Sequence, residues 1–71
     1  MIAEVQMQLV KPIVLELLRS QARDRRLAAG QQREAYIRGH YTIHDRLARE
    51  LEQEADAIEQ AIRVLEALSL Q

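Results

Sequence analysis

Cysteine, phenylalanine and tryptophan are absent from this 71-residue chain, and proline occurs only once. Without cysteine there is no disulfide staple and no thiolate metal site, a composition that suits a reducing compartment. With two tyrosines as the only aromatics, a core must be assembled from Leu, Ile, Val and Ala. Charge of one sign is also lacking. The formal net charge is −1, too near neutral for bulk electrostatics to hold nucleic acid, so a nucleic-acid partner is not expected. Long hydrophobic runs are missing too. The longest mostly apolar stretch, Leu9 to Leu18, is interrupted by Lys11 and Glu16 and falls short of the roughly 20 residues a membrane span needs. Glu4 stands where a signal peptide would place basic residues, so a cytoplasmic location is expected.

What is present is helical periodicity. Ala48, Leu51, Ala55, Ile58, Ile62 and Leu65 recur at alternating steps of three and four, a heptad seam widened on one flank by Leu47, Ala61 and Leu68. The spacing predicts a helix over residues 42–69. Thr42 is placed to cap the backbone N–H of Asp45, and Asp45 suits the positive end of the helix dipole. An apolar stripe of that length requires a partner.

A second helix is expected over residues 12–38. Pro12 fits its first turn, and Ile13, Val14, Leu15, Leu17 and Leu18 cover most of the helix circumference. Gly30 either bends this helix or sits within it at a cost of about 1 kcal/mol relative to Ala. Gly39, His40 and Tyr41 form the turn (39–41), with Gly39 suited to a left-handed cap. Residues 1–11 form an N-terminal arm whose period is ambiguous. Val5, Met7 and Leu9 alternate as in a half-buried strand, whereas Ile2, Val5, Leu9 and Ile13 share a helical face.

Charge supports an antiparallel hairpin. Residues 19–38 carry six arginines against Asp24 and Glu34, whereas residues 39–71 carry three arginines against seven acids. Folding the chain near residue 40 brings these blocks together, with Arg26 level with Glu54, Arg23 near Asp56 or Glu59, and Leu18 level with Ile62. Exposed pairs of this kind contribute about 0–1 kcal/mol each and act mainly on register and orientation.

No chemistry-bearing constellation emerges. His40 and His44 lack a third ligand at metal-site spacing, no nucleophile–base pair is indicated, and Gly30 and Gly39 are too isolated to cradle phosphate. No metal, cofactor or enzymatic activity is expected.

The reading is a single all-α domain: a long antiparallel helical hairpin that self-associates into a four-helix bundle or coiled-coil-like dimer. Leu18, Leu47, Leu51, Ala55, Ile58, Ile62 and Leu65 form the hairpin and oligomer seam. Ile2, Val5, Met7 and Leu9, which precede Pro12 and have no matching element, are the candidate surface for another protein. The expected function is non-enzymatic: an adaptor, a small regulator or inhibitor, or a structural subunit. The alternative is DNA binding. The order of an alternating segment (Val5 to Leu9), a proline-started helix (Pro12 to Ala29), Gly30 and a further helix resembles the plan of ribbon-helix-helix DNA-binding proteins. That resemblance implies that Gln6 and Gln8 project from a β-ribbon to read bases in the major groove. This chain departs from the plan in having no Ser or Thr cap after Gly30, a longer final helix and a slightly acidic balance.

Overall fold

The computed structural model describes the backbone of residues 2–68 and the side chains of residues 8–68. Two helices, α1 (Ile2–Gly39) and α2 (Thr42–Ala67), pack against each other as an antiparallel hairpin with overall dimensions of 56 × 15 × 12 Å. At 1.5 Å per residue the 38 residues of α1 span about 57 Å and the 26 of α2 about 39 Å. The longer helix therefore sets the length of the molecule, and it overhangs the shorter one.

Residues 2–11 do not form a separate arm, and Met1 lies outside the described residues. From Ile2 onwards they belong to α1, which runs through Pro12 and Gly30 without interruption. Val5 to Leu9 are helical, so the β-ribbon implied by the ribbon-helix-helix resemblance is not formed by these residues. The alternation of Val5, Met7 and Leu9 fits both periods, and strong helix formers around them favour the helix. Pro12 removes the amide that would have bonded the Gln8 carbonyl, an oxygen near an exposed stretch of α1. Gly30 lies on the outer face, with open space where a Cβ would stand.

The connection is shorter than residues 39–41, because only His40 and Tyr41 lie outside the helices. His40, not Gly39, takes the left-handed conformation, with φ of 57°. Its amide still donates to the Tyr36 carbonyl at 2.6 Å, so the helix closes its last turn before the chain reverses. Gly39 is needed for room: a Cβ there would stand 2.9 Å from the Tyr41 ring. Tyr41 is extended and occupies the N-cap of α2 without a side-chain cap bond. Thr42 is consequently the first helical residue and not the cap. At the far end α2 closes with the Leu68 amide donating to the Leu65 carbonyl, and Ser69 lies outside the described residues.

The seam follows heptad spacing on both helices. Lys11, Leu15, Leu18, Ala22, Arg25, Ala29 and Gln32 face His44, Ala48, Leu51, Ala55, Ile58, Ile62 and Leu65, all of them buried or half-buried. Four of the six buried residues among those described are alanines: Ala22, Ala29, Ala48 and Ala55. Small side chains at seven-residue intervals let the helix backbones approach closely. They also leave Leu15 and Ile62, each 8% exposed, as the only large side chains among the buried ones of the described residues.

Candidate interaction surface

The two flanks of the seam differ in chemistry. On one, Arg19 pairs with Glu66 at 3.1 Å, Arg26 with Glu59, and Arg33 with Glu52 at 2.6 Å, each pair seven residues on in α1 and seven back in α2. Asp56 and Asp45 join this ladder through Arg26 at 2.6 Å and Arg33 at 3.8 Å. Hydrogen bonds to Asp56 first and Glu59 second hold the Arg26 guanidinium above its ordinary pKa, so it is charged throughout the range in which proteins fold. The partners are exposed or half-exposed, so their effect is on register and orientation more than on stability.

The ladder resolves the arginine block differently from a simple facing of charges. Arg25, not Arg26, takes Glu54, at 2.8 Å. Arg23 stays on its own helix beside Glu16 at 3.5 Å, and Arg26 occupies the carboxylates expected for Arg23. The signal for this arrangement is in the sequence. Arginines at 19, 26 and 33 and glutamates at 52, 59 and 66 both step by seven, which puts each set at one heptad position.

Two polar contacts punctuate the seam itself. Arg25 lies at a core position but carries its guanidinium out to Glu54, and half-buried His44 shares a 2.8 Å hydrogen bond between its Nδ1 and Gln32 Oε1. Lys11 Nζ donates to the Leu68 carbonyl at 2.9 Å, fastening the described end of α2 to α1. No buried side-chain polar atom among the described residues lacks a partner. Polar groups that meet only in one alignment penalise slipped registers, because a slip leaves them unpaired.

The opposite flank is predominantly uncharged. Val14, Gln21, Ala28 and Ala35 of α1 run alongside Leu47, Glu54, Ala61 and Leu68 of α2, and the one acid among them is taken by Arg25. Towards the open end of the hairpin this flank broadens into an apolar face. On α1, Val10, Ile13 and Leu17 are 47%, 62% and 58% exposed; on α2, Val64 and Leu68 are 55% and 50% exposed. Helical periodicity places Val10, Leu17, Val64 and Leu68 on the side of the seam away from the charge ladder, with exposed Ala57 and Ala61 beside them on α2, while Ile13, two heptads before Leu27, lies towards the outer face.

Among the residues assigned to the seam from sequence, Ala55 and Ile62 are buried, and Leu18, Leu47, Leu51, Ile58 and Leu65 are half-buried between the helices. Leu47 belongs to the apolar flank. Of the candidate partner-binding residues, Leu9 is 66% exposed, whereas the side chains of Ile2, Val5 and Met7 lie outside the described residues. The exposed residues Val10, Ile13, Leu17 and Val64 were not among those candidates. Their signal is a second stripe at i, i+3, i+4 and i+7 (Val10, Ile13, Val14, Leu17), offset from the seam on the same helix.

Surface depressions, including the one bordered by Thr42, Ile43, Asp45, Arg46 and Arg49, are shallow and open to solvent. Among the described residues no three His, Asp or Glu side chains are grouped to hold a metal ion, and no helix is long and apolar enough to cross a membrane. His40 lies in the connection, edge-on to Tyr36 at 6.0 Å, while His44 is turned to Gln32. Comparison with protein-family models, with curated proteins and with solved structures finds no match to this chain.

Proposed function

We propose that this protein is a non-enzymatic protein–protein interaction module that works as a helical homo-oligomer, a dimer forming a four-helix bundle in which each hairpin supplies two helices. Its role would be that of a structural subunit, adaptor or small regulator whose assembled surface meets another protein. The observation that carries this reading is the apolar face at the open end. Five large aliphatic side chains from both helices are about half or more exposed there, although the hairpin's own seam is already complete.

Surface area supports the homo-oligomeric part. The chain exposes 5537 Å² for a mass of 8.2 kDa. A compact monomer of that mass exposes roughly 4500 Å², so about 1000 Å² is in excess. A standard protein–protein interface removes about 800 Å² per partner. Small domains without disulfide or metal commonly gain their missing burial by association.

The test is the dependence of unfolding on concentration. If folding and association are linked, the thermal midpoint followed by circular dichroism rises with protomer concentration. A midpoint independent of concentration across a hundredfold micromolar range would overturn the homo-oligomeric reading.

A further inference from the structure

The way in which a second copy can sit against this hairpin is constrained by the order of residues along the flank away from the charge ladder. On α1 the outermost stripe of that flank reads Val10, Leu17, Asp24, Gln31, Arg38; on α2, in the same direction, it reads Val64, Ala57, Glu50, Ile43, and all nine are exposed. Both stripes are apolar at the open end and carry their charges towards the connection. The contacts of Lys11 with Leu68 and of Arg25 with Glu54 fix which residues stand level. Leu17 is level with Val64, Asp24 with Ala57, Gln31 with Glu50 and Arg38 with Ile43, each to within a residue or two. A face two helices wide, about 20 Å at roughly 10 Å per helix, and as long as the 26 residues of α2, about 39 Å, covers roughly 800 Å². A standard interface removes about that area from each partner, so a stable dimer needs the whole paired length and not the open ends alone.

Resting on the homo-oligomeric reading above, we infer that two copies stack by this flank and point the same way, with α1 of each over α2 of the other and both connections at one end. A two-fold axis between two stacked faces runs either along the helices or across them. With the axis along the helices, the levels within one hairpin repeat between copies. Val10 and Leu17 of one copy meet Leu68 and Val64 of the other, and the Gln31 amide is placed to donate to Glu50. Asp24 lies over Ala57, and the stem of Arg38 covers Ile43 while its guanidinium stays in water. Glu54, the acid nearest Asp24 of the other copy, is already held by Arg25 at 2.8 Å. With the axis across the helices, α1 lies over α1. Val10 and Leu17 are then set against Arg38 and Gln31, and Asp24 approaches its own counterpart. That arrangement covers aliphatic side chains with polar ones and brings like charges together, both of which oppose association. The flank thus complements itself in one orientation, which favours a second copy of this chain as its occupant.

The absence of cysteine allows the orientation to be read by disulfide trapping between two single-cysteine chains, one carrying a mass tag, refolded together and mildly oxidised. Leu17→Cys mixed with Val64→Cys should give the mixed covalent dimer at least tenfold faster than Leu17→Cys mixed with Gln31→Cys. Leu17→Cys mixed with Leu27→Cys, whose side chain is 65% exposed on the outer face, sets the background. Separately, Leu17→Glu should weaken dimerisation roughly 100-fold by burying an unpaired charge, while far-UV circular dichroism retains the helical signal because Leu17 is exposed in the protomer. Faster trapping with Gln31→Cys than with Val64→Cys overturns the orientation. Trapping at background with both, or a Leu17→Glu chain that dimerises as the native one does, overturns the docking face. In each of these cases a native chain that sediments as a dimer leaves the homo-oligomeric reading standing. A native chain that sediments as a monomer overturns both.

Discussion

Truncating Ile62 should cost this hairpin a disproportionate share of its stability. Ile62 is 8% exposed and, with Leu15, is one of two large side chains in the buried core of the described residues; the other buried positions are alanines. An Ile→Ala change in a core removes the transfer free energy of three carbons and leaves a cavity, together about 2–5 kcal/mol. A two-helix seam can close around the gap more readily than a deep core, so the lower part of that range, about 2–3 kcal/mol, is expected here. For 71 residues, total stability at ~0.05–0.15 kcal/mol per residue is roughly 4–11 kcal/mol. One truncation thus removes between a fifth and most of it. Urea unfolding followed at 222 nm and at fixed protomer concentration is the assay. With a slope near ~1 kcal/mol/M for so small a protein, Ile62→Ala should lower the midpoint by about 2–3 M. Leu27→Ala, on the exposed outer face, should change stability by less than about 0.5 kcal/mol. An Ile62→Ala midpoint indistinguishable from that of Leu27→Ala would refute the assignment of Ile62 to the seam.

Other substitutions probe separate parts of the account. Gly30→Ala should stabilise the protein by about 0.5–1 kcal/mol, since α1 is helical there and the space for a Cβ is open; a lower melting temperature would mean that the helix breaks at Gly30. Ala55→Leu, at a position with no exposure, should destabilise by about 1–3 kcal/mol by forcing the helices apart, and unchanged stability would show the seam to be loosely packed. His40→Gly should stabilise by roughly 0.5–1 kcal/mol by relieving the left-handed conformation at φ of 57°, against a small loss of the edge contact with Tyr36; a destabilised variant would place the strain elsewhere. Exchanging charges across the ladder should act on register: Arg33→Glu alone should lower the melting temperature, and Arg33→Glu with Glu52→Arg should recover most of the loss, which a double-mutant cycle would detect.

Much of this fold is legible in the sequence, for physical reasons that can be located. The three-four spacing from Ala48 to Leu65 has no competing period over its length, and it coincides with the buried and half-buried positions of α2. The opposed charge of the two halves selects an antiparallel arrangement. Ambiguity enters where a segment fits two periods. Val5, Met7 and Leu9 satisfy both strand and helix, and only continuity with the rest of α1 favours the helix. The connection was harder still, because the residue that adopts positive φ is His40 beside an available glycine. Close approach of the Tyr41 ring reserves Gly39 for space instead of backbone freedom. The open-end face was legible only in part. Its residues are the all-round apolar turn of α1, but which of them remain outside the seam depends on the register that the ladder of Arg19, Arg26 and Arg33 imposes.

The central claim is that a completed hairpin leaves an apolar face for a second copy. Sedimentation equilibrium of the unaltered chain at micromolar concentration tests it most directly. A mass of twice the 8.2 kDa protomer is expected, reverting to one protomer in Leu17→Glu with helicity retained. A native chain that sediments at the mass of a single protomer would contradict it.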